Sequence, residues 1–149
     1  MDATAESLEL LRELFTRQRL GVLATHGADY PYASLVAVHA DDDLRRLYFT
    51  TTRATRKFQF LTAEPNVAML VDSRSDDDLD FHGAVAATAV GTARELEGDE
   101  RAERLAAFLR RHPHLKPFAS APSTALVELA VQSYYIVRRF QNVTELHFE

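Results

Sequence analysis

The 149-residue chain contains no cysteine. That removes a disulfide framework, a thiolate zinc centre and a cysteine nucleophile together, and it fits a reducing compartment. Long apolar runs are missing too: the longest stretch of small apolar residues, Gly83 to Gly91, is far too short to span a bilayer. The opening MDATAESLELLRELF is acidic and amphipathic, where a signal peptide would carry a basic region followed by an apolar one. A cytoplasmic protein is expected. Nor is there an excess of positive charge. Lys and Arg number 17 against 22 Asp and Glu, giving −5 at pH 7, the opposite sign to the footprint of a generic nucleic-acid binder. Any anion site must therefore be local.

Several motifs are absent as well. No GxGxxG or GxxxxGKS turn joins a strand to a helix, so the ordinary dinucleotide and P-loop readings fail. No nucleophile elbow or Ser-His-Asp order can be read from the serines. The six histidines are scattered, and only His112 and His114 lie close together, flanking Pro113. A zinc site needs converging ligands, so no metal is expected and these two read as surface loop residues. His39 and His82 read as hydrogen-bonded structural histidines. The acidic runs Asp41 to Asp43 and Asp76 to Asp80 lack the glycine and terminal glutamate of an EF-hand loop and read as solvated turns.

What is present is ordinary globular composition, 46% hydrophobic and 26% charged, in a length that suits one domain over residues 1–149. Apolar residues at Leu8, Leu11 and Phe15 predict a helix from Ala5 to Arg19 with Thr4 as its N-cap. Leu20 to Thr25, Tyr32 to Ala40 and Arg46 to Thr52 then read as three strands joined by turn-rich segments. A short helix, Ala54 to Ala63, must stop before Pro65. Asn66 to Asp72 is a fourth strand, and Phe81 to Leu96 a long fifth strand bent at Gly91. Asp99 to Arg111 is helical, and Thr124 to Ala130, Tyr134 to Phe140 and Val143 to Phe148 are β-rich. Tyr134 and Tyr135 are consecutive on a strand, so one faces the core and the other faces out. Strands arriving mainly as hairpins predict a mainly β (α+β) fold: an antiparallel barrel of six to seven strands with about three peripheral helices.

One segment breaks a physical rule. Free backbone N–H groups make a helix start partially positive and free carbonyls make its end partially negative. The first helix obeys this order, opening with Glu6 and closing with Arg17 and Arg19, and so does the third, with Asp99 and Glu100 before Arg110 and Arg111. The middle helix reverses it, placing Arg53, Arg56 and Lys57 in or beside its first turn and Glu64 at its end. A phosphate near that turn would receive backbone N–H bonds, hydroxyl bonds from Thr51, Thr52 or Thr55, and charge-assisted bonds from Arg56 and Lys57. Charge alone gives solvated surface cations similar weight. The strand Tyr48, Phe49, Thr50 runs directly into the cluster, and that tips the reading toward an aromatic ligand with a phosphate.

The LAT strand Leu23 to Thr25, Pro31 and Ser34 at the second strand, YFTTTRATRK, and EPNVAML from Glu64 to Leu70 together resemble the pyridoxamine 5′-phosphate oxidase-like FMN-binding split-barrel superfamily. The resemblance covers Leu20 to Asp72 and continues more loosely to Gly91 and the final YYIVRRFQNVTEL. It implies a split barrel with FMN, whose ribityl-phosphate meets Thr50, Thr51, Thr55, Arg56 and Lys57 and whose ring meets Ser34, Leu35 and Val36. It implies a homodimer with FMN at the interface, and Arg139 and Gln141 are the candidates for completing the partner's site. The chain departs from the oxidases themselves: it has no tryptophan, it ends RRFQNVTELHF, and Ser34 stands where an arginine usually opens the strand. The resemblance thus points to an FMN-dependent oxidoreductase of unspecified small-molecule substrate. A flavin-binding or sensing module without turnover is the first alternative. A haem-handling relative, with His39, His82 or His147 as ligand, is the second.

Overall fold

The computed structural model describes residues 3–139 and 141–149. Its elements run α1 (Ala3–Arg17), β1 (Leu20–His26), β2 (Pro31–Ala40), β3 (Arg46–Thr52), α2 (Arg56–Ala63), β4 (Asn66–Asp72), α3 (Asp80–Gly83) and β5 (Val85–Glu95). There follow α4 (Gly98–Arg111), a 3-10 turn (Pro113–Leu115), α5 (Lys116–Ala119), β6 (Thr124–Arg138) and β7 (Asn142–His147).

Alternation along the strands builds the barrel. In β4 the inward rungs Val67, Met69 and Val71 are buried, and in β1 the inward Leu23 is fully so. The order β3-β2-β1-β4-β5-β6 closes on itself through β3 and β6, which pair from Arg46↔Ala130 to Thr52↔Thr124. Every pairing is antiparallel, and β7 adds to β6 outside the closed ring. The fold is the mainly β barrel expected from the sequence.

On one edge β6 serves two partners along its length, and on the other it pairs with β5. Its first half pairs with β3 and its second half, from Ser133, with β7. Between them the register with β5 jumps from Val90↔Ser133 to Gly91↔Val131, leaving Gln132 as the extra residue of a bulge. A Cβ on Gly91 would collide with the Ala130 carbonyl oxygen, so this position needs glycine.

Several boundaries differ from expectation. Phe81 to Gly83 belong to α3, because the Asp80 carboxylate accepts N–H bonds from Ser75 and Asp76 and winds the chain before β5 begins at Val85. The two strands expected at Thr124 to Ala130 and Tyr134 to Phe140 are one, β6, carried across the break by the bulge; Phe140 lies outside the described residues. Thr4 is inside α1 and does not cap it, and Arg19 follows it. The described residues hold five α-helical elements, two of which, α3 and α5, are single turns of four residues. Asp41 is more than a turn residue: it accepts a 2.9 Å bond from the Tyr48 hydroxyl and pairs with Arg104. Of the tyrosine pair, Tyr134 is fully buried with its hydroxyl donating to the Leu44 carbonyl, while Tyr135 faces out.

Outside the ring, α4 and α5 cover part of the barrel through a second apolar cluster of Tyr48, Leu96, Phe108, Ala119 and Leu126. Arg94 ties α4 to the sheet by bridging Glu100 and the buried Glu128. That docking carries residues 112–118 over the outer face of β2 and β3.

Candidate functional site

A cleft of about 470 Å³ opens there. β2 and β3 supply Leu35, Val36 and Thr50 to Thr52, the start of α2 supplies Thr55 and Lys57, and His112, Leu115 and Phe118 form the roof. Six predicted site residues therefore converge: Leu35, Val36, Thr50, Thr51, Thr55 and Lys57. The lining includes Lys57, Arg19, His112 and His114 and no carboxylate, in a chain whose formal charge is −5. Such a local reversal of sign favours an anionic ligand.

At the α2 end the geometry is specific. Thr55 is the N-cap, accepting from the Phe58 N–H at 3.4 Å, and its hydroxyl lies 3.0 Å from that of Thr51. The Gln59 N–H goes to the Thr55 carbonyl. The N–H groups of Arg56 and Lys57, at the first two helical positions, have no carbonyl within the helix to bond, and no other acceptor takes them among the described residues. Neither side chain makes an ion pair among the described residues, although seven other basic side chains do, and Lys57 is half-buried on the cleft. Arg53 is different. Its guanidinium grips Glu95 at 2.8 Å and 3.1 Å and the Pro122 carbonyl at 2.7 Å. The reversed charge read from the sequence thus reduces from three cations to two.

The remaining predicted residues lie elsewhere. Ser34 pairs with Leu23 and shares its inward face, opposite to Leu35; its Oγ is buried and without a partner among the described residues. Val36, although it lines the cleft, shares that inward face and is buried in the core. Arg56 is exposed beside the cleft mouth. Arg139 and Gln141 are exposed in the turn after β6, while the cleft adjoins Thr124 to Leu126 at the start of that strand. Within one chain they do not approach the site.

Sequence reasoning placed His112 on the surface, and the structure corrects this. The ring is 1% exposed, with Nε2 2.8 Å from the Val38 carbonyl and its centroid 4.9 Å from that of Phe108. Burial, helped by the charges of Arg111, His114 and Arg19 and opposed by the Val38 bond, holds its pKa below the ordinary 6.5. His114 is exposed, as expected. His39 stacks on Tyr48 and lines a separate cleft of about 460 Å³; burial lowers its pKa and Asp41 partly offsets this. His82 is exposed in α3, and exposed His147 bonds Ser133 and Glu145. None of these last three lines the main cleft. No group of three or more potential metal ligands converges among the described residues. The roof was missed altogether. Its signal was the segment HPHLKPF, which keeps Phe118 at 43% exposure on a site, together with Leu20 at 53% and Leu35 at 63%.

Among solved structures, a haem-binding protein from Mycobacterium smegmatis superposes with a TM-score of 0.83 at 20% identity, over 99% of this chain and 59% of its own. The present chain thus spans little more than half of that protein. General Stress Protein 26 from Bacillus anthracis gives 0.74 at 22% identity, over 96% and 99% of the two chains. An FAD-binding protein from Mesorhizobium loti gives 0.68 at 19% identity, over 87% and 90%. These likenesses show the fold. No curated protein matches the sequence. The model of the family described as pyridoxamine 5′-phosphate oxidase matches residues 7–138, nearly the whole barrel, and the chain belongs to that family.

Proposed function

We propose that the chain is a single domain that binds FMN in the 470 Å³ cleft and serves as a flavin-dependent oxidoreductase acting on a small molecule. The observation that carries this is the start of α2: two open N–H groups and two cations without ion pairs among the described residues, beside the Thr51 and Thr55 hydroxyls, at one end of a cleft without carboxylates. Those groups would hold the phosphate. Leu35 and Ala37 below and Leu115 and Phe118 above would enclose the ring. When bound, the flavin supplies the redox chemistry. The protein holds the phosphate, orients the ring and keeps water from one face of it.

A homodimer belongs to the same reading. The outer face of β1, β4 and β5 is built from Val22, Ala24, Ala68, Leu70 and Val90, where an antiparallel sheet open to water would carry polar residues. Exposed Leu20 and Leu35 continue that face to the cleft. A second copy placed on it would cover both, and Arg139 or Gln141 of that copy would complete the site. Among the described residues no helix is long and apolar enough to cross a membrane.

The spectrum of the purified protein tests this reading. Flavin absorbance, or its gain on incubation with FMN, is expected, with a dimer by sedimentation. A protein that takes up no flavin overturns it. Structural likeness to a haem-binding protein keeps haem as a second reading, although His39, His82 and His147 all lie off the main cleft. A Soret band on haem titration together with failure to bind FMN would favour it. Steady oxidation of NADH or NADPH separates an enzyme from a sensing module.

A further inference from the structure

We infer that His112 recognises the bound flavin by accepting a hydrogen bond at Nδ1 from the N3–H of the isoalloxazine ring. The inference rests on the FMN reading and adds a residue to it.

The tautomer is set by the backbone. A carbonyl only accepts, so the Nε2 atom 2.8 Å from the Val38 oxygen must carry hydrogen. In the neutral ring Nδ1 is then an acceptor. It has no partner among the described residues, and the ring that bears it is 1% exposed on the cleft lining. The residue lines the cleft, so a ligand bound there can donate to this nitrogen. The ring cannot turn to find another partner. Its backbone N–H closes the last turn of α4 on Phe108 at 2.9 Å, the Phe108 ring lies against it, and Nε2 is anchored on β2. This is an acceptor fixed in place before any ligand arrives.

Position selects the donor. His112 and Arg19 meet β2 at Val38, which pairs with Phe49 on β3. Thr52, where β3 reaches the phosphate end, is three residues beyond Phe49, roughly 10 Å along the strand at about 3.3 Å per residue. That separation is beyond the hydroxyls nearest the phosphate and reaches the ring system. Oxidised isoalloxazine has a single ring N–H, at N3, between two carbonyls. An acceptor at His112 with Arg19 and His114 lining the same end gives the complementary pattern, one acceptor and two donors.

The test compares FMN with 3-methyl-FMN, which lacks that N–H, by titrating flavin fluorescence against the wild-type chain and His112→Gln. Glutamine keeps an amide donor for the Val38 carbonyl but places no acceptor at the Nδ1 position. Wild type is expected to prefer FMN about tenfold, and His112→Gln to bind FMN about tenfold more weakly with the preference gone. His112→Asn, which keeps an acceptor near Nδ1 and loses the donor to Val38, should retain the preference at a lower melting temperature. Equal binding of the two flavins by wild type overturns the inference, and so does a methyl penalty that persists in His112→Gln. The first of these outcomes does not depend on any variant folding. If wild type binds neither flavin, the FMN reading falls as well, so the two failures are distinct.

Discussion

The starts of α2 and α4 are treated in opposite ways by the same chain. α4 opens with Asp99 and Glu100 and ends with Arg110 and Arg111, and it uses these charges internally. Glu100 holds Arg94 at 2.7 Å, and the Arg111 guanidinium donates to the carbonyls of Phe15, Thr16 and Gln18 at the end of α1. α2 has no acid in its first turn and no base in its last, and it turns Arg56 and Lys57 toward its own positive end. The α4 start is thus matched in charge by its own acids, whereas the α2 start, though capped by Thr55, carries cations that only a group from outside can answer. Leaving it open carries a cost of about 0.3–1 kcal/mol for each misplaced charge, which a bound anion would reverse in sign.

The largest expected effect removes the open end. Arg56→Ala with Lys57→Ala should weaken FMN binding by roughly 100-fold, from the loss of two charge-assisted bonds of about 1.5 kcal/mol each. The melting temperature of the ligand-free chain should hold or rise, because two misplaced charges go with them. Unchanged affinity in a fluorescence titration would put the phosphate somewhere else. Thr55→Ala removes the cap and should cost about 1 kcal/mol in a denaturant melt, with weaker FMN binding in step. If the fold weakens and the affinity does not, the cap is structural and the two ends of the comparison are more alike than they look. Arg53→Ala sharpens the contrast from the other side. Its bond with Glu95 is 39% and 22% exposed at the two side chains, so the loss should stay under about 1 kcal/mol, and FMN binding should not change.

The smallest effect concerns the end of α4. Both His112 and His39 are held below 6.5 in the fold, chiefly by burial, so the folded chain keeps them neutral where the unfolded chain takes up protons. Their contribution to stability is complete above the unfolded value and is lost as pH falls from there through the folded values. Melting temperature should therefore fall between pH 7 and about pH 5, and less steeply in His112→Gln. Identical slopes would mean that folding does not shift the His112 pKa.

Much of the barrel could be read directly. β3 and β4 have the bounds expected, because RLYFTTT and NVAMLVD are β-rich and bounded by polar turns and a proline. The failures share a cause. α3 and α5 are single turns, too short to show a helical period, and are set by the Asp80 carboxylate and by prolines. β6 looked like two strands because Gln132 and Ser133 interrupt its apolar run, and only the opposing Gly91 shows that they sit at a bulge. The site divides in the same way. The end of the cleft at α2 is contiguous in sequence and announced by charge, whereas its roof comes from residues 112–118 and arrives through the packing of Phe108 on Tyr48 and Leu126. A buried histidine and an exposed one, two positions apart, carry no local signal that tells them apart.

The closure of the ring by β6 also sets an order in time. Thr50 and Thr51, which line the cleft, are fixed in the sheet by pairing with Leu126 and Ala125, a contact between distant parts of the chain. Such non-local pairings form late, after local helices and hairpins. In a refolding experiment, the capacity to quench flavin fluorescence should therefore emerge after most of the helical signal has recovered. A flavin trapped by the cleft then reports that the last seam of the barrel has shut.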